Sequence, residues 1–201
     1  MVARKPVKAK AKPARGALEN KLIAAMFALA EEGQWSELTL DAIARKAKVK
    51  SAAIPPRLRD RGDVVLIWAE KLAAGFQAQG HGDSAPLQDR VFDGVMEVLE
   101  AMAPARAGLA AITASVMRQP VQAVELLMPL SHLGRAAARR AGLDAASLTG
   151  QAAGLGLALL IARLMPVFAE DEPGLGKTMA LLDRNLSTAL SLLSLVPRVF
   201  G

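Results

Sequence analysis

The sequence predicts an all-α fold, on three observations. Apolar residues recur at helical spacing along most of the chain, apolar/polar alternation never persists between turn signals, and Tyr is absent. Hydrophobic residues make up 52% of the 201 residues, enough to build a core.

Residues 1–15 hold Arg4, Lys5, Lys8, Lys10, Lys12 and Arg15 and no acid. This Lys/Ala/Pro composition cannot bury apolar area, so residues 1–16 are expected to form a disordered basic arm able to follow DNA phosphates or anionic lipid. The nineteen remaining bases match the nineteen acids, so the arm alone supplies the net charge of +6. Leu18, Leu22, Met26 and Leu29 form the stripe of a first helix that Gly33 ends. Thr39 can cap a second helix, with Asp41 in its first turn and Leu40, Ile43, Ala44 and Ala47 on its apolar face. A short third segment begins at Ser51. A fourth helix starts near Asp63 and carries Val64, Ile67, Trp68 and Leu72.

Gly80-His81-Gly82-Asp83-Ser84 reads as a loop, and Pro86 suits the first position of the next helix. That helix carries Val91, Val95, Val98, Leu99 and Met102. Helices over 106–118 and 121–141 follow, the second kinked at Pro129. Two longer helices cover about 145–165 and 175–195, separated by Glu170-Asp171-Glu172-Pro173-Gly174. The layout is about nine helices: a three-helix head over 17–62 and a larger helical body over 63–201.

Several functions are disfavoured by composition. There is no Cys, and His81 and His132 lie far apart, so neither a metal site nor a Ser-His pair has enough to draw on. The acids show no pairing that suggests acid/base chemistry. The expectation is a non-enzyme without cofactor or metal, in the cytoplasm. The most apolar stretch, Ala152–Ala162, is shorter than the ~20 residues a bilayer span needs, and no secretory signal is visible. Gly174-Leu175-Gly176-Lys177-Thr178 has part of a phosphate-loop pattern. Asp171 stands where that pattern needs glycine, however, and no strand precedes it, so a helix start is expected.

Helix, polar turn, short helix and tight loop together make a helix-turn-helix pattern. Leu22-Ile23-Ala24-Ala25 through Glu32-Gly33, then Leu38-Thr39-Leu40-Asp41-Ala42-Ile43-Ala44-Arg45-Lys46-Ala47, resembles the head of TetR-family repressors. The resemblance implies a homodimer, DNA binding by the head and a ligand pocket in the body. Arg45, Lys46, Lys48, Lys50, Arg57, Arg59 and Arg61 cluster in and beside the motif and suit phosphate contacts. With Thr39, Ser51 and Ala52, the residues Lys46, Lys48, Lys50, Arg57 and Arg61 form the expected DNA-facing set. The sequence departs from the family at Lys48, where Gly is usual, and at Lys50, where Ser is favoured. It departs again at Pro55-Pro56, where a phosphate-contacting Tyr is usual. Two prolines are expected to cut the recognition helix to about one turn.

Other segments resemble the coenzyme-Q biosynthesis accessory proteins, which have a TetR-like fold and bind lipids. These are Gln34-Trp35-Ser36-Glu37, Asp60-Arg61-Gly62-Asp63-Val64-Val65 with Trp68, and, near the C-terminus, Asp171-Glu172-Pro173, Lys177-Thr178 and Leu181-Leu182-Asp183-Arg184. This second resemblance implies an apolar pocket for an isoprenoid or acyl chain, with peripheral membrane contact. Met96, Leu99, Met102, Met117 and Met128 are the candidate pocket residues for a small apolar or lipid-like ligand. Leu157, Leu160, Ile161, Leu182, Leu186 and Leu190 are the candidate homodimer interface, a four-helix bundle made from the last two helices of each copy.

Overall fold

A computed structural model describes residues 12–76, 85–144 and 146–195, with side chains described from residue 16 to residue 186 within those spans. The expected loop around His81, residues 1–11 of the arm and the side chain of Leu190 lie outside the described residues. Those residues form eight α-helices and no strand, as the all-α reading expects.

The head is built from local signals. Helix α1 (Lys12–Glu31) begins inside the expected arm, with Pro13 near its start, a position where the missing N–H costs nothing. Gly33 leaves it with φ +78°, a conformation open to glycine and strained for other residues. A 3-10 turn (Trp35–Glu37) leads to α2 (Leu40–Lys46). Thr39 caps α2: its hydroxyl accepts from the Ala42 N–H at 3.2 Å, a contact worth ~1 kcal/mol. Lys48 then adopts φ 55°, which explains why glycine is favoured at such a turn.

The short third segment, expected to be cut to about one turn by Pro55-Pro56, forms no α-helix, which leaves eight among the described residues. Only a 3-10 turn, Ser51–Ala53, stands in its place. Ile54 is already extended, at φ −72° and ψ 126°, because Pro55 disfavours helix at the residue before it and Pro55 and Pro56 offer no N–H. The chain then enters α3 (Arg61–Ala74), capped by Asp60, which accepts from the Asp63 N–H at 3.0 Å.

The body contains α4 (Leu87–Met102), α5 (Arg106–Arg118), α6 (Leu127–Arg140), α7 (Leu148–Glu170) and α8 (Gly176–Leu195). The expected kinked helix over 121–141 is instead a 3-10 segment, Pro120–Leu126, followed by a separate α6. Pro129 falls in the first turn of α6, where no helical carbonyl awaits its N–H. Helix α7 runs past the expected end at 165 and through Pro166.

Helix α6 is central and packs on α3, α4 and α7, while α7 also meets α5 and α8. Gly134 allows α6 to approach α7, since a Cβ there would lie 2.1 Å from the Gly154 carbonyl oxygen. Trp35, Met26, Ile43, Leu99, Leu133 and Phe168 are among the large side chains sealed in the core. Helix α7 is long and apolar enough to cross a membrane by length and composition, and half of its most apolar window is buried in the fold. Packing on α5, α6 and α8 accounts for that burial.

Candidate functional site

A crevice of about 320 Å³ opens in the body, between α3, α5, α6 and α7. This lies at the lower end of the ~300–1,000 Å³ range of small-molecule sites. Helix α3 supplies Val65 and Trp68, α4 Met102, and α5 Leu109, Ile112, Thr113, Val116 and Met117. The 3-10 segment adds Ala123 and Leu126. Helix α6 adds Leu127, Pro129, Leu130 and Leu133, and α7 adds Leu159, Ala162, Met165 and Pro166. Apart from the Trp68 indole, Thr113 is the one lining residue with a polar side-chain group. Such a wall binds hydrocarbon and offers a single hydroxyl for orientation.

The mouth is apolar as well. Met117 and Leu159 line the crevice and are each 69% exposed, and Leu127 does both at 56%. Val121 and Val124, on the 3-10 segment that also supplies Ala123 and Leu126, and Leu155, one turn before Leu159 on α7, are exposed too. Large apolar side chains gathered on a surface mark an interaction or ligand site.

Of the candidate pocket residues, Met102 and Met117 line the crevice. Met96 and Leu99 are buried in the core without lining it, and Met128 is exposed on the first turn of α6. Sequence reasoning missed Trp68, Ile112, Leu133 and Pro166 as lining residues. Trp68 and Ile112 sit on recognisable apolar faces, but no local signal says which face meets the cavity.

The dimer expectation needs a correction at its residues. Leu157, Leu160, Ile161, Leu182 and Leu186 are all buried within the single chain, where α7 packs on α6 and α8, so they are unavailable to a partner. The exposed apolar residues of α7 are instead Leu148, Leu155 and Leu159.

In the head, Lys48, Lys50, Ser51 and Ala52 are exposed on the turn after α2, and Arg45 is exposed near the end of that helix. Thr39 is also exposed, its hydroxyl engaged in capping. Four residues expected to contact phosphate are engaged within the fold, among them Arg59, which pairs with Asp63 at 3.3 Å. Lys46 pairs with Glu32 at 2.5 Å, and Arg57 pairs with Glu19 at 2.6 Å. Glu19 also pairs with Lys71 at 3.2 Å. Burial opposes the charge on Glu19, but hydrogen bonds and charge from Arg57 and Lys71 outweigh it and hold the carboxyl below its ordinary value.

Arg61 is the clearest correction. Its side chain is only 11% exposed, and its guanidinium binds both carboxylate oxygens of Glu125. It donates as well to the carbonyls of Trp35 and Ser36 and lies 4.8 Å over the Trp35 ring. With its donors committed in this way, Arg61 ties the head to the crevice wall instead of facing a phosphate.

The segment with the partial phosphate-loop pattern is a helix start, as expected. The Thr178 N–H and hydroxyl donate to Asp171 at 2.7 and 2.8 Å, and Thr178 is fully buried. Among the described residues no group of three or more His, Asp or Glu could hold a metal ion. Comparison with protein-family models found no match, and comparison with curated protein sequences found none either.

Proposed function

We propose that the chain is a non-catalytic binding protein that holds an elongated apolar ligand, an acyl or isoprenoid chain, in the crevice of its body. The observation that carries this reading is a hydrocarbon-lined cavity whose rim is apolar too. Its wall has no cluster of titratable groups. The likeness of the Asp60–Trp68 and Asp171–Arg184 segments to lipid-binding accessory proteins points the same way. Titration of the purified full chain with farnesol tests it. Binding is expected in the wild type and is expected to fall at least tenfold in Ala162→Phe, which fills the crevice from α7. An unchanged affinity in that variant would place the ligand elsewhere.

The second reading is a TetR-type regulator that binds DNA through its head. Its support is the exposed side chains of Lys48, Lys50 and Ser51, with Arg45 close by and the basic residues of 1–15 in the same chain. Base reading needs a helix or ribbon in the major groove, and a 3-10 turn of three residues is a poor substitute. Fluorescence anisotropy on DNA with a salt series and random competitor separates the two. Phosphate contact alone gives a steep salt slope and no sequence preference. Tight binding to one fragment that survives competitor would restore the regulator reading.

A further inference from the structure

We infer that Trp68 sets the length of the chain the crevice accepts. This rests on the crevice being the ligand site. Trp68 sits on α3 and lines the crevice on one side. It also lines two open grooves along α1, each about 330 Å³. Each groove is therefore comparable in volume to the crevice itself. One runs past Asn20, Ile23 and Lys71, the other past Ala28, Glu31 and Pro104. Among the described residues Trp68 is the one that lines both the crevice and the grooves, which makes its indole the candidate partition between them.

That indole is held in place. Phe27 meets the Trp68 ring edge to face, with centroids 5.2 Å apart and planes at 79°. Phe27 is itself pinned from α5, where a Cβ on Gly108 would lie 2.6 Å from its ring. An apolar chain that enters at the rim meets the indole as an end stop. Removing the indole joins the crevice to the grooves, and a longer chain then fits without folding back on itself.

The test uses the full chain and three probes that differ by single isoprene units: geraniol, farnesol and geranylgeraniol. Affinity is measured by titration calorimetry for each. In the wild type, affinity is expected to rise with length and then stop rising once the chain reaches Trp68. Trp68→Ala is expected to move the preferred length up by at least one unit, with about a tenfold gain for the longest alcohol. Trp68→Phe keeps an aromatic wall and is expected to keep the wild-type preference. Trp68→Leu serves the same purpose as Trp68→Ala should the alanine variant fail to fold.

Ala24 lies in both grooves, is exposed, and does not line the crevice. Ala24→Trp is therefore expected to leave the wild-type preference alone and to reverse the shift in the Trp68→Ala background. Folded Trp68→Ala and Trp68→Leu variants that bind all three alcohols with the wild-type length preference would overturn the inference and leave the crevice as the site. A wild type that binds none of the three would overturn the crevice reading itself.

Discussion

Arg61 and Glu125, 64 residues apart, meet in a two-pronged ion pair with N–O distances of 2.8 and 3.0 Å. Because Arg61 also holds the Trp35 and Ser36 carbonyls, one side chain joins the head, the start of α3 and the 3-10 segment that lines the crevice. Lysine cannot reproduce this planar fork. Arg61→Lys is expected to cost about 1–3 kcal/mol in urea unfolding. Glu125 is more exposed, so Glu125→Gln is expected to cost less, under about 1 kcal/mol. No cost in either variant would show that the clamp contributes little, and equal costs would assign its effect to the ion pair alone rather than to the Trp35 and Ser36 carbonyls.

Asp171 organises the start of α8. Its carboxylate accepts from the Glu172 and Thr178 N–H groups and the Thr178 hydroxyl, and Arg106 donates to its carbonyl at 2.9 Å. Burial raises the carboxyl's pKa, but the hydrogen bonds from Thr178, Glu172 and Lys177 lower it further, to below the ordinary 3.8. The stabilisation is present above pH 3.8 and is lost as pH falls through the depressed value. Asp171→Asn is expected to cost about 1–3 kcal/mol at neutral pH. Urea unfolding at several pH values should show the gap to wild type closing in acid.

His132 on α6 is expected to stay neutral near pH 7. Burial lowers its pKa first, the charges of Arg135 and Arg139 lower it further, and Glu70 opposes them only in part. The folded state therefore binds this proton less readily than the unfolded chain. Stability is expected to fall as pH drops below the ordinary 6.5 and towards the depressed value. His132→Gln should remove that part of the pH dependence in thermal melts between neutral and mildly acidic buffer. A slope identical to wild type would assign it to other groups.

The α6–α7 contact depends on Gly134. A Cβ there would meet the Gly154 oxygen at 2.1 Å and the Ala158 nitrogen at 2.5 Å, and both are backbone atoms that cannot swing aside. Gly134→Ala is expected to cost about 1–3 kcal/mol by overpacking, despite the better helix propensity of alanine. The reverse comparison is Gly156, on the same pair's outer side, where a Cβ meets nothing within 4 Å. Gly156→Ala should be neutral or stabilising in the same unfolding assay.

Local features were legible in the sequence. Gly33, Thr39 and the Pro55-Pro56 break act within a few residues of themselves, so their effects on α1, α2 and the missing recognition helix follow from chemistry alone. Arg61 was not legible, because its acceptors lie 25, 26 and 64 residues away and charge alone suggests a phosphate. Helix α7 misled for a different reason. It is apolar on several faces, so spacing cannot tell Leu157 and Ile161, which are buried, from Leu155 and Leu159, which are exposed. Met117 and Met128 show the same limit: both are exposed methionines, and only the packing of α5 on α7 and on the 3-10 segment puts the first on the crevice wall.

The most direct test is to ask where an apolar chain sits. The full chain would be incubated with a diazirine-tagged fatty acid, irradiated, digested and mapped by mass spectrometry. Labels are expected within 109–117, 123–133 and 159–166, the segments of α5, the 3-10 segment with α6, and α7 that line the crevice. They should be competed away by untagged fatty acid. Labels spread over the surface, or confined to the head, would contradict ligand binding in the crevice.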